Sequence, residues 1–364
     1  MQKRKILINA SMYDDAPTGV GIHIREIANR LPTLLDECEF KTYSYSDKLN
    51  PELKIEKIKL PFGFEWLARC RSVHRLLWNL FVLPRRARGY DLIYSGSSHG
   101  TPFFRRQIVT IHDLICFAYP SQHGAQYYFF RYVLPLILRS CRKVVTVSNF
   151  TRGEVLSVFS ISNTDVVTVH NGGDHLQTAG NSRSEPAEFI GLNSTPYFLI
   201  VGCSYPHKNV ERAIEAFTGI EQDCRLVILA GQNGYTDDLK KRFSAEENIV
   251  FLDFVAGADL SRLYKDAVAH VYVSRYEGFG LPPLEAALNG TVSIVSNTTA
   301  LPEVYGTSVV YVDPESVEQI SVAMLGLLTG KIDRQAYRKE FPALFSKYRW
   351  DNSARRVAEI ILET

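Results

Sequence analysis

The chain has 364 residues, 46% hydrophobic and 22% charged, a length that suits two globular domains better than one core. Its net charge of +2 hides an asymmetry: residues 1–180 hold 23 Lys and Arg against 15 Asp and Glu, or +8, and the remaining 18 basic and 24 acidic residues make −6. No apolar run reaches the roughly 18 residues of a membrane-spanning helix, and the six scattered cysteines include no Cys-x-x-Cys pair, which argues against a disulfide framework or a zinc site and for a reducing compartment.

The opening Met1-Gln-Lys-Arg-Lys-Ile-Leu-Ile-Asn-Ala10 has an apolar stretch only a strand long, so a cleaved signal peptide is not expected. Lys5–Asn9 reads as a strand. A turn, Asp14 to Gly21, leads into a helical pattern with Ile24, Ile27, Ala28 and Leu31 on one face. Further strands are expected at Asp91–Tyr94, Gln107–Ile111, Lys143–Val147 and Asp165–Val169, with helices at Gln126–Arg139 and Thr151–Phe159 between them. Residues 178–186, Thr-Ala-Gly-Asn-Ser-Arg-Ser-Glu-Pro, have the composition of a linker. The alternation then restarts with strands at Tyr197–Val201, Arg225–Leu229, Ile249–Leu252, Ala269–Val273, Val292–Val295 and Val309–Val312, and helices such as Val210–Phe217 and Leu260–Lys265. Two runs of β-α alternation imply an α/β chain of two Rossmann-like, doubly wound domains facing across a cleft, with ligands outside the carboxyl ends of the strands.

Four strand-to-helix junctions carry candidate chemistry. Ser274-Arg-Tyr-Glu-Gly-Phe-Gly-Leu-Pro-Pro283 is a loop feeding a helix that starts near the prolines and stops at Asn289-Gly290. Glu277 falls in the loop and Glu285 in the helix, so the two carboxylates would touch different parts of one bound molecule. Gly278 opens the loop, and the amides of Phe279, Gly280 and Leu281 beside a helix N-terminus suit an anion or sugar hydroxyls. A glycine-rich turn before an acidic helix start accounts for the same residues without a ligand. In Val201-Gly-Cys-Ser-Tyr-Pro-His-Lys-Asn209, Gly202 permits a sharp turn and Lys208 can reach phosphate oxygens, although a solvated turn lysine fits equally. Thr18-Gly-Val-Gly-Ile22 is a glycine-rich loop short of the full dinucleotide fingerprint. Val109-Thr-Ile-His-Asp113 runs a strand into His112, with Asp113 there to orient it or to cap a turn. Asp-x-Asp, the usual carboxylate pair for a metal-bound nucleotide, is absent from the chain, which disfavours a metal.

In this order, with Val147-Ser-Asn-Phe-Thr-Arg152, Val169-His-Asn-Gly-Gly-Asp174 and Asn297-Thr-Thr-Ala-Leu-Pro-Glu303 between and after them, these elements resemble the retaining glycosyltransferases of family 4, which have the GT-B fold. The resemblance covers nearly the whole chain, and Glu277-Gly-Phe-Gly-Leu-Pro-Pro-Leu-Glu285 is its most specific part. It implies an acceptor-binding domain over residues 1–178, a nucleotide-sugar domain over 187–345, and a last helix, about 346–364, packed back on the first domain. It implies that Glu285 holds the ribose hydroxyls and Glu277 lies beside the donor sugar. The amides of Phe279, Gly280 and Leu281 would position the sugar hydroxyls. Lys208 would neutralise the departing diphosphate, Gly21 would admit the phosphates, and His112 would sit at the reacting face. No metal and no cofactor are implied, and retention is explained by front-face attack with a leaving phosphate oxygen taking the acceptor's proton. Cys203 stands where many relatives have arginine, and His207-Lys208-Asn209 replaces Arg-Lys-Asn, which shifts the expected diphosphate contact onto Lys208.

The glutamate segment resembles the mannosyltransferase-like branch, which ranks GDP-mannose first among donors, ahead of a UDP-sugar or dTDP-rhamnose. The acceptor implied is a glycan or lipid-linked glycan in bacterial cell-surface polysaccharide synthesis, lipopolysaccharide included. A nucleotide-sugar epimerase or a non-catalytic sugar-nucleotide-binding protein would share the architecture with less reason to keep Glu277, Lys208 and His112 together. In residues 62–88 six arginines interleave with Trp66, Trp78 and Phe81, and Tyr127-Tyr-Phe-Phe-Arg-Tyr132 is a second aromatic stretch. These suit an interfacial helix on anionic lipid as well as a core helix with solvated arginines. The expected partner of the basic half is therefore an anionic membrane surface and not nucleic acid, for a cytoplasmic protein peripheral to the inner face of the membrane.

Overall fold

The computed structural model describes residues 3–15, 18–59, 70–162, 165–176, 195–253, 255 and 257–364. Contacts divide the chain into one unit of Met1–Gly172 with Trp350–Thr364, and a second of Gly173–Arg349. Residues 178–186, read as a linker, lie outside the described residues, as does Trp66.

The first unit contains β1 (Arg4–Ala10), β2 (Cys38–Ser44), β3 (Ile55–Lys57), β4 (Leu92–Ser95), β5 (Gln107–Ile111), β6 (Cys141–Thr146) and β7 (Val166–Thr168). The second contains β8 (Tyr197–Val201), β9 (Arg225–Leu229), β10 (Ile249–Leu252), β11 (Ala269–Tyr272), β12 (Ser293–Ser296) and β13 (Val310–Val312). The sheets are ordered β3-β2-β1-β4-β5-β6-β7 and β10-β9-β8-β11-β12-β13, with every pairing parallel. Each is doubly wound. Strand order reverses beside the first strand of each sheet, between β1 and β4 and between β8 and β11, and that switch opens a crevice at the carboxyl ends.

The central strands are near-continuous apolar runs because helices cover both faces; β5 and β12 are buried at every residue. β2 and β3 had no counterpart among the expected strands. Cys38-Glu-Phe-Lys-Thr-Tyr-Ser44 alternates apolar and polar residues and is only partly covered, and β3 has three residues at the sheet's edge. The glycine-rich segment also differs from expectation. Thr18 is the extended N-cap of a helix Gly19–Leu34, and Ile22 N–H bonds Thr18 O at 2.8 Å, so Gly21 is a buried first-turn residue and not part of a loop. The last helix, Trp350–Glu363, packs on that helix within the first unit, where Arg30 bridges Glu26 at 2.6 Å and Asp351 at 2.8 Å.

Residues 71–86 form a helix in which Leu83 N–H reaches back five residues to Trp78 O; residues 124–138 repeat the device, Leu134 N–H reaching Phe129 O. In both a proline follows, Pro84 and Pro135, with no N–H to give and a ring that crowds the preceding turn, and the ladder widens locally. This corrects the interfacial reading of the first helix at one point: Trp78 is 1% exposed and packs with Tyr43, Leu83 and Ile93 in the core. Phe81 on the same helix is exposed.

Two histidines are wholly enclosed, one per unit. Burial, then the neighbouring His112, pushes His23 down to about 3, against the opposing hydrogen bond that His23 donates to Asn171, and burial takes His270 to about 3. Both therefore fold neutral, while the unfolded chain takes up a proton at each near pH 6.5. Stability is complete above that value and falls as pH drops below it. At pH 5 each ring should oppose folding by about 2 kcal/mol. His112 and His99, lowered by burial to about 4 and about 3, act in the same direction, so urea unfolding at pH 7 and pH 5 is expected to show a loss of about 4 kcal/mol or more; equal stability at both would mean that the rings take up protons in the folded state.

Candidate active site

In the second unit the loops after β8 and β11 meet at the switch point. Gly202, at φ +88°, turns the chain sharply as β8 ends. A short 3-10 turn, Pro206–Lys208, follows, and Asn209 at φ +59° begins the helix Val210–Thr218. The Asn209 side chain donates to Val273 O at 3.0 Å and Pro314 O at 2.7 Å. His207 O accepts from Arg275 N–H at 2.9 Å and from the Ser274 hydroxyl at 3.2 Å, stitching one loop to the other.

This stitching delivers Lys208 Nζ to 2.6 Å from Glu277 Oε1. The ammonium also donates to the Tyr272 hydroxyl at 3.3 Å and lies 5.4 Å from that ring's centre. Burial pushes the Glu277 carboxyl up, and the Lys208 charge and hydrogen bond, with help from Tyr272, override it and hold the group below the usual glutamate range. Tyr272 goes the other way: burial first, then the Glu277 charge, keep its hydroxyl protonated well above its usual range. Lys208 is thus paired in this state and not a solvated turn lysine. Cys203 is fully buried, and burial raises its thiol to about 12; it cannot stand in for an arginine on the diphosphate. His207, also buried, stacks on Tyr205 with ring centres 5.6 Å apart.

The helix Leu281–Leu288 starts with prolines in its first turn and is preceded by Gly280 at φ +82°. The left-handed backbone of Gly280 strains any other residue, and a Cβ there would lie 2.7 Å from Leu301 Cδ2, which would have to shift. Phe279 is buried edge-on against Tyr348, with ring centres 5.6 Å apart, and Tyr305 donates its hydroxyl to Gly280 O. One turn into the helix, Glu285 is 5% exposed. Tyr264 donates to Oε2 at 2.9 Å, and His175 Nε2 lies 3.2 Å from Oε1. Tyr264 comes from the helix Ala258–Asp266 and His175 from the turn Asp174–Leu176. Neither was expected from sequence. His175 directly follows the Val169–Asp174 motif, but only packing reveals that it faces a carboxylate.

In the first unit His112 follows β5 directly. Its Nε2 donates to Gly96 O at 2.9 Å, and its ring meets His23 edge-on at 4.8 Å between centres. Burial, opposed by the Gly96 carbonyl, takes His112 down to about 4. A ring neutral at pH 7 that donates through Nε2 keeps its lone pair on Nδ1, so it can accept a hydrogen bond but cannot supply a charge. His23 supports it from behind, bonded through Nδ1 to Asn171 Oδ1 at 2.8 Å. Asp113 accepts Ile115 N–H at 3.1 Å and so caps the turn, one of the two roles open to it.

The family model described as "Glycosyltransferase Family 4" matches residues 17–175, and "Glycosyl transferases group 1" matches 184–342. O-antigen chain mannosyltransferase B of Escherichia coli is 30% identical over 355 residues, covering 92% of this chain and 93% of its own. O-antigen chain mannosyltransferase RfbU of Salmonella typhimurium is 28% identical over 73% of this chain and 72% of its own. Among solved structures, sucrose-phosphate synthase from Thermosynechococcus elongatus superposes with a TM-score of 0.76 at 17% identity, covering 99% of each chain. Anabaena Alr3699/HepE in complex with UDP-glucose gives 0.75 at 16% identity, over 99% of this chain and 100% of that one. These superpositions show the GT-B arrangement of two parallel-sheet Rossmann-like domains. With family models over both halves and a full-length relative at that identity, the chain belongs to glycosyltransferase family 4 and is a glycosyltransferase.

Proposed function

We propose that this glycosyltransferase moves mannose from GDP-mannose to a glycan or lipid-linked glycan acceptor in cell-surface polysaccharide synthesis, with retention and without a metal ion. The observation that carries the reading is the Lys208–Glu277 pair at the switch point, beside the start of the helix Leu281–Leu288. The sugar assignment is supported by relatives named O-antigen chain mannosyltransferases and, at 26% identity over 85% of this chain, MMP alpha-(1->4)-mannosyltransferase of Mycolicibacterium hassiacum.

On this reading Glu285, fixed by Tyr264 and His175, accepts the ribose hydroxyls. Lys208 neutralises the diphosphate as the bond from C1 to phosphate oxygen breaks, and the helix start with the amides of Gly280 and Leu281 supports the same charge. The acceptor oxygen bonds C1 on the face the phosphate leaves, and its proton passes to a phosphate oxygen. Glu277 steadies the sugar and the positive charge developing at C1, and neutral His112 accepts a hydrogen bond from a sugar hydroxyl. Gly21, in its first-turn position, admits the phosphates.

A second observation favours the anionic membrane surface as partner of the basic half. Tyr128 and Tyr132, 62% and 64% exposed, stack at 6.4 Å, and Leu136, 48% exposed, continues their stripe with Arg131 and Arg139 exposed alongside. Tyrosine with arginine on a helix face is the chemistry of a lipid interface.

A panel of GDP-mannose, UDP-glucose, UDP-N-acetylglucosamine and dTDP-rhamnose, read by nucleoside diphosphate release with and without EDTA, is expected to give fastest turnover with GDP-mannose and no loss to EDTA. A faster donor refutes the sugar, and abolition by EDTA refutes metal independence. Glu285→Ala should raise the donor KM tenfold or more; unchanged kinetics would remove Glu285 from the site. Lys208→Met strands a carboxylate that is 11% exposed and is expected to cost about 3 kcal/mol of stability and at least a hundredfold in kcat. Adding Glu277→Gln should restore the stability and leave the activity low. Flotation with vesicles should show binding to anionic and not neutral lipid at low salt, reduced severalfold by Tyr128→Ser with Tyr132→Ser; no flotation at all would remove the membrane from the scheme.

A further inference from the structure

β12 leads through Asn297–Ala300 into the helix Leu301–Tyr305, and Thr299 in this loop has φ +56°. Left-handed backbone is rare for any L-residue and is an outlier for a β-branched one, whose two Cβ substituents crowd the main chain. A glycine would take this conformation without strain. Among the described residues the other non-glycine ones at positive φ, Lys54 and Asn209, are unbranched at Cβ. Strain of this kind persists where the surroundings hold it in place, and it gathers at functional sites.

Here the surroundings are the main chain of Glu277. Thr299 Oγ1 accepts Glu277 N–H at 3.1 Å and donates its own proton to Thr298 O at 2.8 Å. Ala300 N–H donates to Glu277 O at 3.4 Å, and Asn297 N–H ties the loop's start to Val312 O at 3.0 Å. A segment from the neighbouring strand therefore grips both peptide groups of Glu277. Lys208 holds the carboxylate end of the same residue.

We infer that Thr299 is a positioning residue whose hydroxyl fixes the main chain of Glu277 and so sets where its carboxylate meets the donor sugar. This rests on the role proposed above for Glu277. The strained backbone is what brings the hydroxyl to that amide, and glycine, easier on the backbone, would leave the amide without its acceptor.

The test compares Thr299→Val, Thr299→Ser, Thr299→Gly and Glu277→Gln by steady-state kinetics and thermal unfolding. Thr299→Val keeps the shape and strain without the hydroxyl. It is expected to lower kcat at least tenfold, about 1.4 kcal/mol, with donor KM changed less than threefold. Thr299→Ser should recover most of that loss. Thr299→Gly is expected to unfold at or above the parent temperature with kcat as low as Thr299→Val, a split that a purely structural role would not produce. In a Glu277→Gln background, Thr299→Val should cost little more, because it acts through Glu277. Parental kcat in both Thr299→Val and Thr299→Gly, with Glu277→Gln impaired, overturns the inference alone. Parental activity in Glu277→Gln overturns the reading of Glu277 and the inference with it. If Thr299→Val fails to fold, Thr299→Gly decides: low kcat with intact Tm supports the role, and parental kcat or a lowered Tm overturns it.

Discussion

The ammonium of Lys208 and the carboxylate of Glu277 lie 2.6 Å apart, and much of the second unit is arranged to bring them there. They come from loops that are 69 residues apart in sequence. Only the reversal of strand order between β8 and β11 sets those loops side by side. Asn209 then fixes the register by bonding the end of β11 and the Pro314 carbonyl at once. The pair is a compromise between desolvation and attraction. An isolated buried carboxylate would drift upward in pKa; beside Lys208, Glu277 is held below the usual glutamate range instead. A charged lysine already held in position is what a departing diphosphate requires, since it need not reorganise when the charge develops.

The two units handle their polar groups in opposite ways. In the second, Lys208 holds Glu277 below the usual glutamate range, and Tyr264 and Tyr272 are kept protonated beside a carboxylate by burial and that carboxylate's charge. In the first, His112 and His23 are neutral and meet each other edge-on. A neutral histidine can accept a hydrogen bond from a hydroxyl group without adding charge. The same burial makes each unit sensitive to acid, because an enclosed neutral ring opposes folding once the unfolded chain can protonate it.

Much of the fold could be read in the sequence where burial is two-sided. Gln107–Ile111, Tyr197–Val201 and Arg225–Leu229 are strands with the expected bounds, because an internal parallel strand must be apolar along its length. β3 escaped because it has three residues at the sheet's edge, and β2 because polar Glu39 and Lys41 interrupt its apolar residues. Composition alone could not distinguish Trp78 in the core from Phe81 at the surface on one helix; the side that faces the sheet decides it. Likewise Gly21 carries the look of a loop, and the Thr18 cap with the following apolar face makes it helical.

By itself the sequence determined the family, the two-fold β-α repetition and the residue types at the candidate site: a lysine before one helix, a glutamate in a loop and another inside the helix that follows it. Those are local facts, set by spacing and by the preferences of glycine and proline for particular backbone. The tertiary structure decided the partnerships. It joined Lys208 to Glu277, gave Glu285 the hydroxyl of Tyr264 and the ring of His175, set His23 behind His112, and placed a strained Thr299 under the Glu277 amide. The physical reason is that hydrogen bonds and ion pairs depend on distances of about 3 Å between groups far apart in the chain. No periodicity in sequence encodes such a distance; the winding of the sheet does.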